Sequence, residues 1–295
     1  MLFSSQVSRR VLLKTVSAMP FAGHMLGQAP QTALAYVGTY NSPKGPEGSK
    51  GNGTGICLFE VDLQSGSLKQ REIIASGSNP SWLAFHPSGR FLFAANEVDE
   101  YEGTRSGSVS SIAVDRATGH LTQINTTSSR GAGPAHLSVH PSGKFVFVAN
   151  YAGGTIAVLP VTPKGELGPA TDVKEDAGEL GPRRATSSPP GSFAISGHDR
   201  PHAHMIRSDP SGRFVLSTDL ALDRIFIWRF DAAAGKLSAN DPPFVSLPPG
   251  DGPHHFTFHP NGRWMYSLQE EGSTLVTFDY DAQLGRLAEK QSLST

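Results

Sequence analysis

Short apolar runs, alternating or continuous, recur along the chain and are separated by Pro-Ser-Gly, Pro-Asn-Gly and Asp-rich turns. Period-two runs bounded by such residues predict strands, because β-branched and aromatic side chains suit a pleated surface while Pro and Gly supply the φ values of tight reversals. Four stretches repeat one pattern: Asn79-Pro-Ser-Trp-Leu-Ala-Phe-His-Pro-Ser-Gly-Arg-Phe91, Gly133-Pro-Ala-His-Leu-Ser-Val-His-Pro-Ser-Gly-Lys-Phe145, His204-Met-Ile-Arg-Ser-Asp-Pro-Ser-Gly-Arg-Phe214 and Gly252-Pro-His-His-Phe-Thr-Phe-His-Pro-Asn-Gly-Arg-Trp264. Their anchoring prolines, Pro87, Pro141, Pro210 and Pro260, are 54, 69 and 50 residues apart. That spacing suits a propeller blade better than a helical solenoid.

Each unit reads the same way. A short strand and a Pro-x-Gly turn lead to an aromatic-rich strand, such as Phe91 to Ala95 or Phe145 to Ala149. After a second turn comes an alternating strand, such as Thr155 to Val161, Arg224 to Phe230 or Thr274 to Tyr280. An Asp-rich turn of the Asp115 to Leu121 or Asp231 to Leu237 kind then precedes a weaker fourth strand. The predicted fold is all-β, a β-propeller of four-stranded antiparallel blades occupying residues 34–295. Residues 34–78 give a partial first unit without a His-Pro strand, and four complete units end near residues 131, 199, 250 and the C-terminus. About five blades are therefore expected, and a ring that must close implies a C-terminal truncation. Residues 171–200 interrupt the repeat and are expected to be a lid over the channel mouth or a surface loop.

Composition narrows the function. With 25 basic against 26 acidic residues the formal charge is −1, so nothing draws the chain generally to nucleic acid. A single cysteine, Cys57, excludes an intrachain disulfide and a cysteine-only metal site. Residues 1–33 read as an export signal and short linker. Ser8-Arg9-Arg10-Val11-Leu12-Leu13-Lys14 has the form of a twin-arginine signal, and the stretch from Thr15 to Leu26 is only weakly apolar. Pro20, Gly23 and His24 interrupt it, which argues against stable membrane insertion. Export by the twin-arginine translocase to the periplasm or beyond follows, with cleavage between Gln28 and Ala35.

Repeat alignment also locates candidate chemistry. Six positions before each anchoring proline stand Ser81, Ala135, His204 and His254; ten positions after it stand Glu97, Tyr151, Leu220 and Glu270. Equivalent positions of a propeller cluster around its axis, so His204, His254, Glu270 and Glu97 should converge at the channel mouth. Carboxylates and imidazoles there can activate water, move a proton and stabilise an oxyanion, which suffices to open an activated cyclic ester. No Gly-x-Ser-x-Gly elbow offers a covalent route. His204, His254 and Glu270 are the expected catalytic set, with His202, His255, Glu97, Asp219 and Arg224 as substrate contacts. Asp219 and Arg224 also suit a turn held by a hydrogen bond or ion pair, and His86, His140 and His259 look like repeat-determined packing residues. No metal or other cofactor is expected: the His-Glu-x-x-His pattern is missing, and the adjacent His254 and His255 on a regular strand point to opposite faces.

These motifs resemble the seven-bladed lactonase propellers, a family that includes bacterial 6-phosphogluconolactonases and fungal carboxy-muconate lactonizing enzymes. Asn79-Pro80-Ser81, Pro201-His-Ala-His204, Thr218-Asp-Leu with Asp223-Arg224, Gly252 to Pro260 and Gln269-Glu270 with Ser273-Thr274 carry the likeness. The resemblance implies a catalytic His at His204, a Glu at Glu270 and an Arg, from Gly-Pro-Arg-His, where this chain has His254. It implies a metal-independent hydrolase acting on a sugar-type lactone. Export and the lack of a clustered Lys/Arg cradle favour an unphosphorylated aldonolactone. The alternatives are an exported propeller that binds a ligand or protein without catalysis, and a muconate-type lactonizing isomerase.

Overall fold

The computed structural model describes residues 31–43, 50–74, 77–186, 188 and 197–295. The arginine pair and its apolar tail lie outside these residues. The described chain forms nineteen strands in five antiparallel sheets, with no helix. The first sheet has three strands, β1 (Thr32–Gly38), β2 (Ile56–Asp62) and β3 (Leu68–Ile74), side by side in that order. Four four-stranded sheets follow in chain order. They comprise β4 (Pro80–Phe85), β5 (Phe91–Asn96), β6 (Ser108–Val114) and β7 (Leu121–Ser128); then β8 (Pro134–Val139), β9 (Phe145–Asn150), β10 (Thr155–Pro160) and β11 (Asp172–Glu175). The last two are β12 (Ala203–Ser208), β13 (Phe214–Asp219), β14 (Arg224–Asp231) and β15 (Lys236–Ser246), and β16 (Pro253–Phe258), β17 (Trp264–Gln269), β18 (Thr274–Asp281) and β19 (Arg286–Ser294).

The same turn chemistry shapes the outer hairpin of four sheets. Asp62 Oδ1 accepts the N–H groups of Gln64 and Ser65, Asp115 those of Ala117 and Thr118, Asp231 those of Ala233 and Ala234, and Asp281 those of Gln283 and Leu284. Gly66, Gly119, Gly235 and Gly285 close these turns with φ between +64° and +81°, where a Cβ would be strained. In the first sheet this turn joins β2 to β3, whereas in the others it joins the third strand to the fourth. Among the described residues the three-stranded sheet thus lacks an innermost strand, in line with the lack of a His-Pro segment before it. One boundary changes: Asp172–Glu175, inside the expected interruption, is the fourth strand of the third sheet.

The core lies between neighbouring sheets. Ile56 of β2 packs with Leu92, Ala94 and Ile112; Phe93 and Val109 pack with Leu137, Val146 and Val148; Phe147 and Val158 pack with Ile206 and Val215; and Leu216 and Ile227 pack with Met265, Val276 and Phe278. All six residues of β5, β9 and β13 are buried, as befits a strand covered on both faces. The His-Pro histidines add polar ties between sheets. His86 Nδ1 accepts the Ser88 N–H, so Nε2–H is the donor to the Gly143 carbonyl at 3.0 Å in the next sheet. His140 does the same, from Ser142 N–H to the Gly212 carbonyl at 3.0 Å. Replacing the buried His140 by Ala orphans a glycine carbonyl and is expected to cost about 1–3 kcal/mol, read as a lower urea midpoint at unchanged slope.

Candidate functional site

Each innermost strand is bulged near its start. Across β4 and β5 the pairing jumps from Pro80–Asn96 to Trp82–Ala95, which leaves Ser81 without an opposite residue. The same slip leaves out Ala135 between Pro134–Asn150 and His136–Ala149, and His204 between Ala203–Asp219 and Met205–Thr218. In the fifth sheet His254 and His255 together face only Leu268, between Pro253–Gln269 and Phe256–Ser267. Such a bulge re-aims side chains out of the regular alternation. Just beyond it, the N–H groups of Glu97, Tyr151, Leu220 and Glu270 donate to the carbonyls of Asn79, Gly133, His202 and Gly252 at 2.9, 2.7, 3.0 and 2.8 Å. The two repeat positions that carry candidate chemistry are therefore held side by side by backbone geometry.

In the fourth and fifth sheets these positions bring His204, His254 and Glu270 together, with His255 beside them. The ring centroids of His204 and His254 lie 3.7 Å apart, those of His254 and His255 4.3 Å, and those of His204 and His255 5.2 Å. Glu270 Oε2 is 3.4 Å from His254 Nε2. The expectation that His254 and His255 point to opposite faces is corrected: the two-against-one bulge breaks the alternation on which it rested. A second layer of rings lies against His255, with Trp82 at 5.2 Å and His136 at 5.7 Å, themselves 4.4 Å apart. These rings come from the second, third and fifth sheets, so the inner edges face one axis.

Burial decides the charge state of the imidazoles. It pushes His204 well below the usual histidine range, helped by the nearby rings of His254, His255 and His136. Burial and then His255 push His254 down to about 4, and burial lowers His255. At neutral pH the cluster is a set of neutral donors and acceptors, not a cationic patch. His204 Nδ1 and His255 Nε2 are buried and have no hydrogen-bond partner among the described residues. One ring nitrogen from each of His204, His254 and His255 lies within 4.8 Å of the others, a set able to hold a metal ion.

The remaining candidates are placed around this cluster or away from it. His202 is buried beside it: Nδ1–H donates to the Tyr151 carbonyl at 3.0 Å, Nε2 meets Asp199 Oδ1 at 3.0 Å, and the ring stacks on Tyr151. Tyr151 then stands edge-on to His204, 5.5 Å between centroids. Glu97 is held toward the first sheet, where Tyr40 Oη–H donates to it at 2.7 Å. Asp219 is fully buried, and its Oδ1 accepts the Leu222 N–H, which is the turn role. Arg224 lies opposite Asp219 in the β13–β14 ladder, but its side chain turns elsewhere. Its guanidinium donates to the Ala177 carbonyl and lies 4.2 Å over the Phe244 ring, because the descending segment after β11 passes there. Asp219 and Arg224 are thus committed to packing, not to the cluster.

Sequence reasoning put Tyr151 at the repeat position of Glu270 without giving it a role, and missed His136, Trp82 and His198. Trp82, His136 and His255 all stand five positions before an anchoring proline, so the repeat held that signal. His198 lies in the interruption and had none. Its ring is buried between Glu271 at 3.3 Å and Asp223 at 3.7 Å; burial alone would lower its pKa, but the two carboxylates hold it raised. Asp223 also accepts the N–H groups of Gly250 and Gly252, just ahead of His254. The end of the interruption is thereby tied to the turn that delivers the histidine pair.

A buried carboxyl pair lies nearby. Burial, then Asp219, raises Asp176 well above the ordinary carboxylate range, and burial raises Asp219 too. Folded-state values above the unfolded ones mean stability fully present below the ordinary value and lost as pH rises through the folded one. Asp176→Asn is therefore expected to raise the urea midpoint at neutral pH, with the gain fading as pH falls toward about 4.

Comparison with known proteins agrees with this layout. A family model described as "Lactonase, 7-bladed beta-propeller" matches residues 34–295. The 6-phosphogluconolactonase of Bacillus subtilis strain 168 is 27% identical over 261 residues, covering 88% of this chain and 66% of that protein. The 6-phosphogluconolactonase of Formosa agariphila is 26% identical over 237 residues, covering 80% and 61%. The chain thus spans just under two thirds of these relatives' lengths. The solved structure of a Pseudomonas aeruginosa periplasmic gluconolactonase superposes with a TM-score of 0.72 at 32% identity, covering 89% of this chain and 68% of the other.

Proposed function

The chain belongs to the seven-bladed β-propeller lactonase family, and on that footing we propose that it hydrolyses an unphosphorylated sugar lactone at the His204–His254–Glu270 cluster. The observation that carries the reading is the placement of Glu270 against His254, whose ring lies tilted against that of His204 at the bulged strand starts. Glu270 takes a proton from water as the water oxygen attacks the ring carbonyl carbon. A neutral His204 N–H donates to the carbonyl oxygen as it becomes an oxyanion. Collapse breaks the ring C–O bond, and the proton on Glu270 passes to the leaving alkoxide, giving an open hydroxy acid. His254 orients Glu270 and contacts the substrate.

The neutral state of His254 bears on which lactone is used. With a pKa of about 4 it supplies no permanent charge where the family pattern has an arginine. A neutral aldonolactone suits such a site better than a phosphorylated one. The twin-arginine segment and the periplasmic description of the Pseudomonas protein support export to the periplasm.

Acid release followed by pH-stat, in the presence of a chelator, tests the reading. Glucono-1,5-lactone is expected to open faster than its 6-phosphate. No acid release above the spontaneous rate from either would overturn hydrolysis and leave a binding protein. Loss of a conjugated diacid's absorbance without acid release would point to the isomerase.

A further inference from the structure

We infer that His204, His254 and His255 form a binding site for one divalent transition-metal ion of the zinc or cobalt type. The inference goes beyond the hydrolytic reading and does not depend on it. Three observations converge. One ring nitrogen from each residue lies within 4.8 Å of the other two. Tetrahedral coordination at about 2.0–2.1 Å places neighbouring nitrogens about 3.4 Å apart, so small side-chain rotations close the set. The bulge is what makes it possible, since His254 and His255 oppose the single residue Leu268 and sit 4.3 Å apart instead of on opposite faces. His204 Nδ1 and His255 Nε2 are buried without a hydrogen-bond partner among the described residues, and a buried polar atom without a partner is a standing cost that coordination removes.

The third ligand is the residue by which this chain departs from its family's pattern. An arginine at position 254 would bring a permanent cation that repels a metal and offers no lone pair. The imidazole there removes the repulsion and supplies the ligand. Imidazole nitrogen is a preferred donor for zinc, cobalt and copper, and three such ligands leave a fourth position open, as in catalytic and not structural zinc sites. Glu270, 3.4 Å from His254 Nε2, is placed to act as the carboxylate that orients a ligating histidine. A bound ion would supply Lewis acidity at the open position beside Glu270.

The test titrates the full chain, stripped with chelator and dialysed, with CoCl2 while the visible d–d absorption of tetrahedral Co2+ is recorded. The expected result is a saturable band at one ion per chain. His254→Arg, which installs the family residue, and His204→Gln should each weaken the ion at least about 100-fold, with unchanged far-ultraviolet circular dichroism. His255→Gln stands in for either variant that does not fold. A wild-type protein without a saturable band, or a band of the same affinity in the folded variants, would overturn the inference. Lactone opening is measured separately in chelator, so either reading can fail while the other stands.

Discussion

Glu270→Gln is expected to lower kcat/KM for an aldonolactone by about 10²–10⁴-fold, the usual worth of a positioned proton-transfer group, while the protein unfolds at its wild-type temperature. Gln keeps the shape and the backbone bond from the 270 N–H to the Gly252 carbonyl, and loses only the ability to accept a proton from water. The carboxylate is part-exposed and rests on the tip of a β-hairpin, so its loss leaves the core untouched. The check is pH-stat turnover beside thermal unfolding of both proteins. Equal turnover would remove Glu270 from the chemistry.

Phe147→Ala should have the largest effect on stability, about 3–5 kcal/mol, seen as a lower urea midpoint. Phe147 is fully buried in the middle of β9, among Ile156, Val158, Ile206 and Val215, with the Phe230 ring 5.0 Å away. It therefore serves the interface between the third and fourth sheets as well as its own. A cavity there cannot collapse easily, because strands on both sides are held in register by their own ladders. A loss below about 1 kcal/mol would mean that the sheets pack less tightly than their burial implies.

Most of the fold was legible because it repeats. One Pro-x-Gly turn is weak information, but four copies, three of them followed by an Asp-rich turn, mark the strand order, the sheet size and the partial first unit. The short β11 escaped because Asp172–Glu175 is polar and lacks the apolar alternation that marks the other strands.

The site was half legible, for one physical reason. Counting from the anchoring proline identifies equivalent positions whatever the local backbone does, and so it picked out His204, His254 and Glu270. Deciding where adjacent side chains point requires a regular strand, and the bulge at His254–His255 violates that condition with no mark in the sequence. Asp219 and Arg224 went to packing because the segment after β11 crosses their end of the fourth sheet, a tertiary contact that no local pattern encodes.

The central claim is that the bulged inner strand β12 and the β17–β18 hairpin tip of the next sheet present His204 and Glu270 to one bound lactone. A double-mutant cycle in kcat/KM measures it most directly, using wild type, His204→Gln, Glu270→Gln and the double variant with glucono-1,5-lactone in chelator. The expected result is strong coupling, with the double variant no more than about 10-fold slower than the worse single one. Single-variant losses that simply multiply, or single variants as fast as wild type, would contradict it.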